Sequence, residues 1–155
     1  MPEMIVLVRH GKAEPRSVLV RDQARKLTAK GREVLEKNYP AVFADIAEAA
    51  GPVTVLSSAA TRTMQTAEVV CEALGIPTDE IVELNELTGQ DEEGIIRELR
   101  DHEGAVIAVG HSPSIDEVAS RLTGRMRSML KGEALGLDAT TSPTRMSVLF
   151  DCVPK

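Results

Sequence analysis

Four short apolar runs, Met4 to Val8, Val53 to Leu56, Ile81 to Leu84 and Ala105 to Val109, have the length of strands and the near-continuous hydrophobicity of burial on both faces. Between them, apolar residues recur at intervals of three and four, the spacing that lines one side of a helix. After Thr61 the stripe is Met64, Ala67, Cys71 and Leu74, with Ser57 and Ser58 as candidate caps and Gly75 as the stop. Ser112 as N-cap and Pro113 in the first helical position open another helix, whose stripe of Ile115, Val118, Ala119 and Leu122 closes before Gly124. The stretch from Thr28 to Ala50 carries Leu35, Tyr39, Val42, Phe43 and Ile46 on one side, but Pro40 predicts two pieces or a bend. Asp91 caps a shorter helix bearing Ile95, Ile96 and Leu99, and Ala134 to Phe150 reads as two strands joined by the turn-rich Ala139 to Thr144. The alternation predicts an α/β fold, a mostly parallel sheet covered by helices, with the last strand an antiparallel edge. No repeat or linker divides the chain, so residues 1–155 are expected to form a single domain.

Composition narrows the function classes. With 155 residues, 43% hydrophobic and 27% charged, the chain can bury a core without disulfides or structural metal. Lys and Arg number 18 against 24 Asp and Glu, a net charge of -6, which opposes binding to nucleic acid or acidic membranes. One Tyr, two Phe and no Trp leave little for stacking bases. Cys71 and Cys152 are too few for a secreted disulfide framework, and a reducing cytoplasm is the expected compartment. No run is long enough to span a membrane, and Met4 to Val8 lacks the basic start of a signal peptide, so a soluble, unexported protein is expected.

In an open α/β sheet, ligands sit beyond the carboxyl ends of the strands. There the sequence places Arg9, His10 and Gly11 after the first run, Ser57, Ser58 and Arg62 after the second, Asn85 and Glu86 after the third, and Gly110 and His111 after the fourth. Singly, each has an ordinary role as a loop hydrogen-bonder, surface cation or solvated acid. Jointly, two imidazoles, two guanidiniums and a carboxylate are the parts of a phosphoryl-transfer site that needs no metal: nucleophile, cations for the phosphate, proton donor. Arg62 falls in the first turn of its helix, where N–H groups and the positive end of the dipole are expected to hold the anion as well.

Arg9-His10-Gly11 after an N-terminal strand resembles the signature of the histidine phosphatase superfamily, with the phosphoglycerate mutase-like fold. Its companions are DQARKLTAKG at Asp22 to Gly31, LSSAATRTMQTA containing Arg62, LNE at Leu84 to Glu86, and VGHSP containing His111. The resemblance runs from Met4 to about Leu122, and the RHGKA start with D-x-x-R-x-L-T-x-x-G looks most like SixA-type phosphohistidine phosphatases. It implies a three-layer α/β/α sandwich, no cofactor and no metal. His10 would be the nucleophile forming a phosphohistidine intermediate. Arg9, Arg62 and His111 would bind the phosphoryl oxygens, with Gly11 and Arg25 as further substrate contacts beside Asp22. Glu86 aligns with the proton-donor position of the mutase and sugar-phosphatase branches. Lys12 and Glu14 read as rim residues.

As nucleophile, His10 must be neutral, one ring nitrogen donating to a backbone carbonyl and the other free, while a protonated His111 is expected to face phosphate with the two arginines. Phosphohistidine loses an imidazole that protonates easily, so it demands less of Glu86 than an alkyl phosphate would. The expected partner is a phosphorylated protein, such as a histidine phosphotransfer domain, or a small phosphorylated metabolite. The rivals are a phosphomonoesterase acting on small metabolites and a phosphate-binding module without turnover. A metallohydrolase fits poorly, because Arg9 disfavours a divalent cation beside His10 and no HxxxH spacing occurs. Arg125, Arg127 and Lys131 form a basic cluster that reads as a solvated face, with guidance of an anionic substrate as the alternative, and His102 reads as an exposed loop residue.

Overall fold

Ile5 and Leu7 enter one hydrophobic cluster and Val6 and Val8 another, so β1 (Met4–Arg9) is buried on both faces, as its unbroken apolar run requires. The computed structural model describes residues 1–49 and 51–155; Ala50, the end of the stretch expected to be helical, lies outside the described residues. With β2 (Val53–Ser57), β3 (Val82–Glu83), β4 (Ala105–Gly110), β5 (Ala134–Asp138) and β6 (Ser147–Cys152), β1 forms a sheet of order β3-β2-β4-β1-β5-β6. The first four in that order are parallel; β5 runs antiparallel to β1, and β6 antiparallel to β5. Helices α1 (Ala29–Glu48) and α2 (Thr61–Leu74) pack on the face of Val6, Val8, Ile107 and Val109. The other face, with Ile5, Leu7, Val106 and Ala108, is covered by α3 (Asn85–Thr88), α4 (Glu92–Arg100) and α5 (Ser114–Thr123). The expected three-layer α/β/α architecture is therefore present.

Register positions the site. Arg9 pairs with Gly110 and Ser57 with Val109, so His10, Ser58 and His111 leave the sheet together at one edge. Behind β1, Gly132 donates its N–H to the carbonyls of Arg9 and His10, both at 2.9 Å, and its own carbonyl accepts the buried Tyr39 hydroxyl at 2.7 Å. The loop bearing the first imidazole is thus tied to α1.

Several elements depart from the sequence reading. The third strand is two exposed residues rather than a buried run, because β3 is an edge with one neighbour; Val82 is 48% exposed and Leu84 alone of the predicted segment is buried. Both β5 and β6 are antiparallel, not the last strand only. The helix expected at Ser112 starts at Ser114 with Pro113 as cap, and the Ser112 hydroxyl instead donates to Asp116 at 2.7 Å. Asp91 does cap α4, accepting from Gly94 N–H. No helix among the described residues is long and apolar enough to cross a membrane.

The largest departure is α1, one helix running through Pro40. Pro40 and Glu36 both face solvent, so the carbonyl that loses its helical donor is open to water, while Leu35, Tyr39 and Phe43 anchor the turns around the ring in the core. Thr28 caps the start, accepting from Gly31 N–H at 2.9 Å. Replacing Pro40 with Ala restores the missing donor at an exposed position. Pro40→Ala is expected to raise stability by about 1–2 kcal/mol, the helix gain less the added freedom of the unfolded chain, read as a higher urea midpoint at unchanged slope.

Candidate active site

Where the parallel strands end, Arg9, His10, Arg62 and His111 line one cleft of about 320 Å³ together with Asp22, Arg25 and Ser112. The rings of His10 and His111 lie edge to face, centroids 5.4 Å apart. His10 Nδ1 lies 2.8 Å from the Gly11 carbonyl, which can only accept. The proton is therefore on Nδ1, and Nε2 keeps a lone pair with no protein partner among the described residues. Burial pushes the His10 pKa down to about 4; the Gly11 carbonyl opposes this, and His111, Arg62 and Arg9 add to it. The ring is neutral near pH 7, as a nucleophile must be.

His111 is held by a different set of partners. Its Nε2 lies 2.7 Å from Ser58 Oγ and its Nδ1 3.4 Å from Arg62 Nη2. A guanidinium only donates, so Nδ1 accepts and Nε2–H donates to Ser58. Burial, reinforced by Arg62 and partly opposed by Asp22, pushes its pKa to about 4 as well. Burial first, and the adjacent guanidinium second, therefore keep His111 neutral near pH 7 in the free protein. Ser58, a candidate helix cap, instead holds His111 in orientation while accepting the Ala60 N–H at 3.2 Å and donating to Thr63 Oγ1 at 2.8 Å.

Arg62 is buried at the start of α2 and donates from Nη1 to the Asp22 carbonyl at 2.8 Å and from Nη2 to the Asp22 carboxylate at 3.2 Å. Burial alone would raise the Asp22 pKa, but Arg62 and Arg25 outweigh it and hold the carboxyl below the usual range. Arg25 donates to Asp22 at 3.0 Å and to the Glu14 carbonyl at 2.8 Å. The D-x-x-R-x-L-T-x-x-G segment therefore has two jobs: Asp22 and Arg25 reach the cleft, while Thr28 and Gly31 build the start of α1. A Cβ on Gly31 would stand 2.5 Å from the Lys12 carbonyl. Arg9 donates to the Met129 carbonyl at 2.8 Å, and the Nε atoms of Arg9 and Arg62 are buried without partners.

Other expectations fall outside the cleft. Glu86 is not among its lining residues; its side chain packs near Gly94 at the start of α4. The Gly11 N–H is taken by Thr66 Oγ1 at 3.1 Å. Just before α2 the Ala59 N–H donates to Thr88 and the Ala60 N–H to Ser58, and Arg62 is the residue of α2 that lines the cleft. The basic cluster splits, Lys131 lining the cleft and Arg125 and Arg127 lining a separate hollow with Arg145. Arg16 and Gln90 line the cleft without any motif to mark them, Gln90 also accepting the Ser114 N–H at 3.1 Å. His102 lies 4.0 Å from Glu98, away from the cleft. Among the described residues, no group of three His, Cys, Asp or Glu comes together in a way that could hold a metal ion.

Two histidines with pKa lowered from 6.5 to about 4 make the unfolded chain bind more protons than the folded one between those values. Their contribution to stability is complete above pH 6.5 and is lost as pH falls toward 4. Thermal melts should show Tm dropping over that window, and the drop should be smaller in a His10→Asn, His111→Asn double variant.

The family model described as histidine phosphatase superfamily (branch 1) matches residues 5–135. A search of curated proteins finds no significant match. Among solved structures, the chain is similar to one assigned as phosphohistidine phosphatase SixA from Agrobacterium tumefaciens, at 23% identity and TM-score 0.81, covering 100% of both chains. It is also similar to the protein histidine phosphatase SixA complexed with tungstate, at 20% identity and TM-score 0.73, covering 96% of this chain and 95% of that one. A third, assigned as phosphohistidine phosphatase SixA from Nakamurella multipartitia, has 22% identity and TM-score 0.71, covering 98% of this chain and 96% of that one. At these identities the likeness to each structure is one of fold. With more than half of its length matched by the family model and Arg9, His10, Arg62 and His111 on one cleft, the chain belongs to the histidine phosphatase superfamily.

Proposed function

We propose that the protein is a phosphatase that moves a phosphoryl group onto Nε2 of His10 and then to water, and that its substrate is phosphohistidine on another protein. The observation that carries this reading is the state of His10: neutral, its Nδ1–H held by the Gly11 carbonyl, its Nε2 unpartnered, in a cleft shared with Arg9, Arg62 and His111. The SixA names of the similar structures favour the same substrate class.

In the first step Nε2 bonds to phosphorus as the P–N bond of the substrate breaks, and the departing imidazole takes a proton from water. Arg9 and Arg62 face the equatorial oxygens. An entering dianion makes a proton on His111 Nδ1 favourable, converting that atom from an acceptor for Arg62 into a donor to oxygen. In the second step water attacks phosphorus, the P–N bond to His10 breaks, and phosphate and neutral His10 are released. Asp22 is the one carboxylate among the described residues lining the cleft, and its two arginines keep it ionised. A site so poor in proton donors suits a leaving group that needs little help, and a phosphoramidate is one.

His10→Ala is expected to abolish turnover of both phosphohistidine and an aryl phosphate with the fold retained by circular dichroism. Quenching the wild type in denaturant at alkaline pH, where a P–N bond survives, should trap phosphate on His10, and acid should release it. Retained activity in the variant would make another residue the nucleophile, and preference for a sugar phosphate panel over phosphohistidine would move the substrate to small metabolites. Arg62→Ala should lower kcat/KM at least about tenfold, since a charge-assisted contact contributes roughly 1.5–3 kcal/mol.

A further inference from the structure

From the loop that rims the cleft we infer a docking element for the protein substrate: Val18, Leu19 and Val20 engage an apolar, acid-edged surface of the partner while its phosphorylated imidazole enters beside His10. The inference rests on the phosphatase reading above. Val18 and Leu19 are 103% and 90% exposed, and Val20 is also exposed, an unbroken apolar run held out at a loop tip. The tip has its own local order, Leu19 N–H donating to Ser17 Oγ at 3.1 Å and Ser17 bridging to Val20. It is continuous with the cleft, because the hollow lined by Val20 and Ser17 shares Arg16, Asp22 and Arg25 with the cleft wall. Across the cleft, Lys131 is followed back along the chain by Leu130, itself 56% exposed.

Charge selects the occupant. Residues 13–28 and 129–132, which carry these walls, hold five of the chain's 18 Lys and Arg and two of its 24 Asp and Glu. A cationic rim on a protein of net charge -6 favours an anionic partner at that end and repels it elsewhere. A metabolite small enough for the cleft makes no use of side chains at the loop tip. A folded protein presenting one phosphorylated side chain covers both the tip and the cleft, removing apolar area from water.

The test compares Leu19→Asp with wild type on two probes, free phosphohistidine and a histidine-phosphotransfer domain loaded with phosphoramidate. Leu19 makes no core contact, so the variant should fold. The expected result is a fall in kcat/KM of at least about tenfold on the phosphodomain, carried mainly by KM, with free phosphohistidine unchanged and Leu19→Met close to wild type. Unchanged turnover of both probes overturns docking alone. An equal loss on both also overturns it, making the loop a lid, and a loss that tracks a shift in sedimentation mass would make it a contact between copies. Wild-type inactivity on both probes overturns the substrate reading as well.

Discussion

Arg62 is the charge around which the site is organised. It is buried, it meets Asp22 on one side and His111 Nδ1 on the other, and burial works against its charge while Asp22 supports it. Its field, added to desolvation, keeps both imidazoles neutral, which is the state a nucleophilic His10 requires. Asp22 balances Arg62 and Arg25 in part and is itself half exposed. Among the described residues lining the cleft, Arg9, Arg16, Arg25, Arg62 and Lys131 face a single carboxylate, and in the proposed function a phosphoryl dianion supplies the missing negative charge.

Such a cluster holds only because the backbone beneath it is tied down. Gly132 bonds the Arg9 and His10 carbonyls and is itself held by Tyr39, Thr66 fixes the Gly11 amide, and Ser58 fixes the His111 ring. Each tie joins residues far apart in the chain, and each is buried, where water cannot substitute for a lost partner. Ring orientation is set before any ligand arrives, and the rearrangement the proposed chemistry adds is the proton gained by His111 Nδ1 as the dianion enters.

Glu86 and Lys131 show how loop paths redirect chemistry. The third strand shrinks to a two-residue edge, and in the short α3 that follows the Glu86 Cγ packs near Gly94 of α4, with Glu86 outside the residues that line the cleft. The 124–132 loop, in contrast, returns to the site, giving Lys131 to the cleft and the Met129 carbonyl to Arg9. The proposed preference for an easily protonated leaving group and for a protein partner both follow from these two paths.

The runs of β1, β2 and β4, the stripes of α2, α4 and α5, and the cluster of Arg9, His10, Arg62 and His111 at strand ends were legible in the chain, because side-chain period and the parallel-sheet rule act locally. Pro40 misled, since whether a missing hydrogen bond breaks a helix depends on whether water or core lies beside it. The neutrality of His111 in the free protein, the roles of Ser58 and Thr66, the packing of Glu86 near α4 and the arrival of Arg16, Gln90 and Lys131 were not legible. They depend on burial and on distances between residues tens of positions apart, and only packing of the whole chain sets those. Residue order determined which chemical groups stand at the end of each strand; tertiary structure decided which of them face one another and which charge each carries.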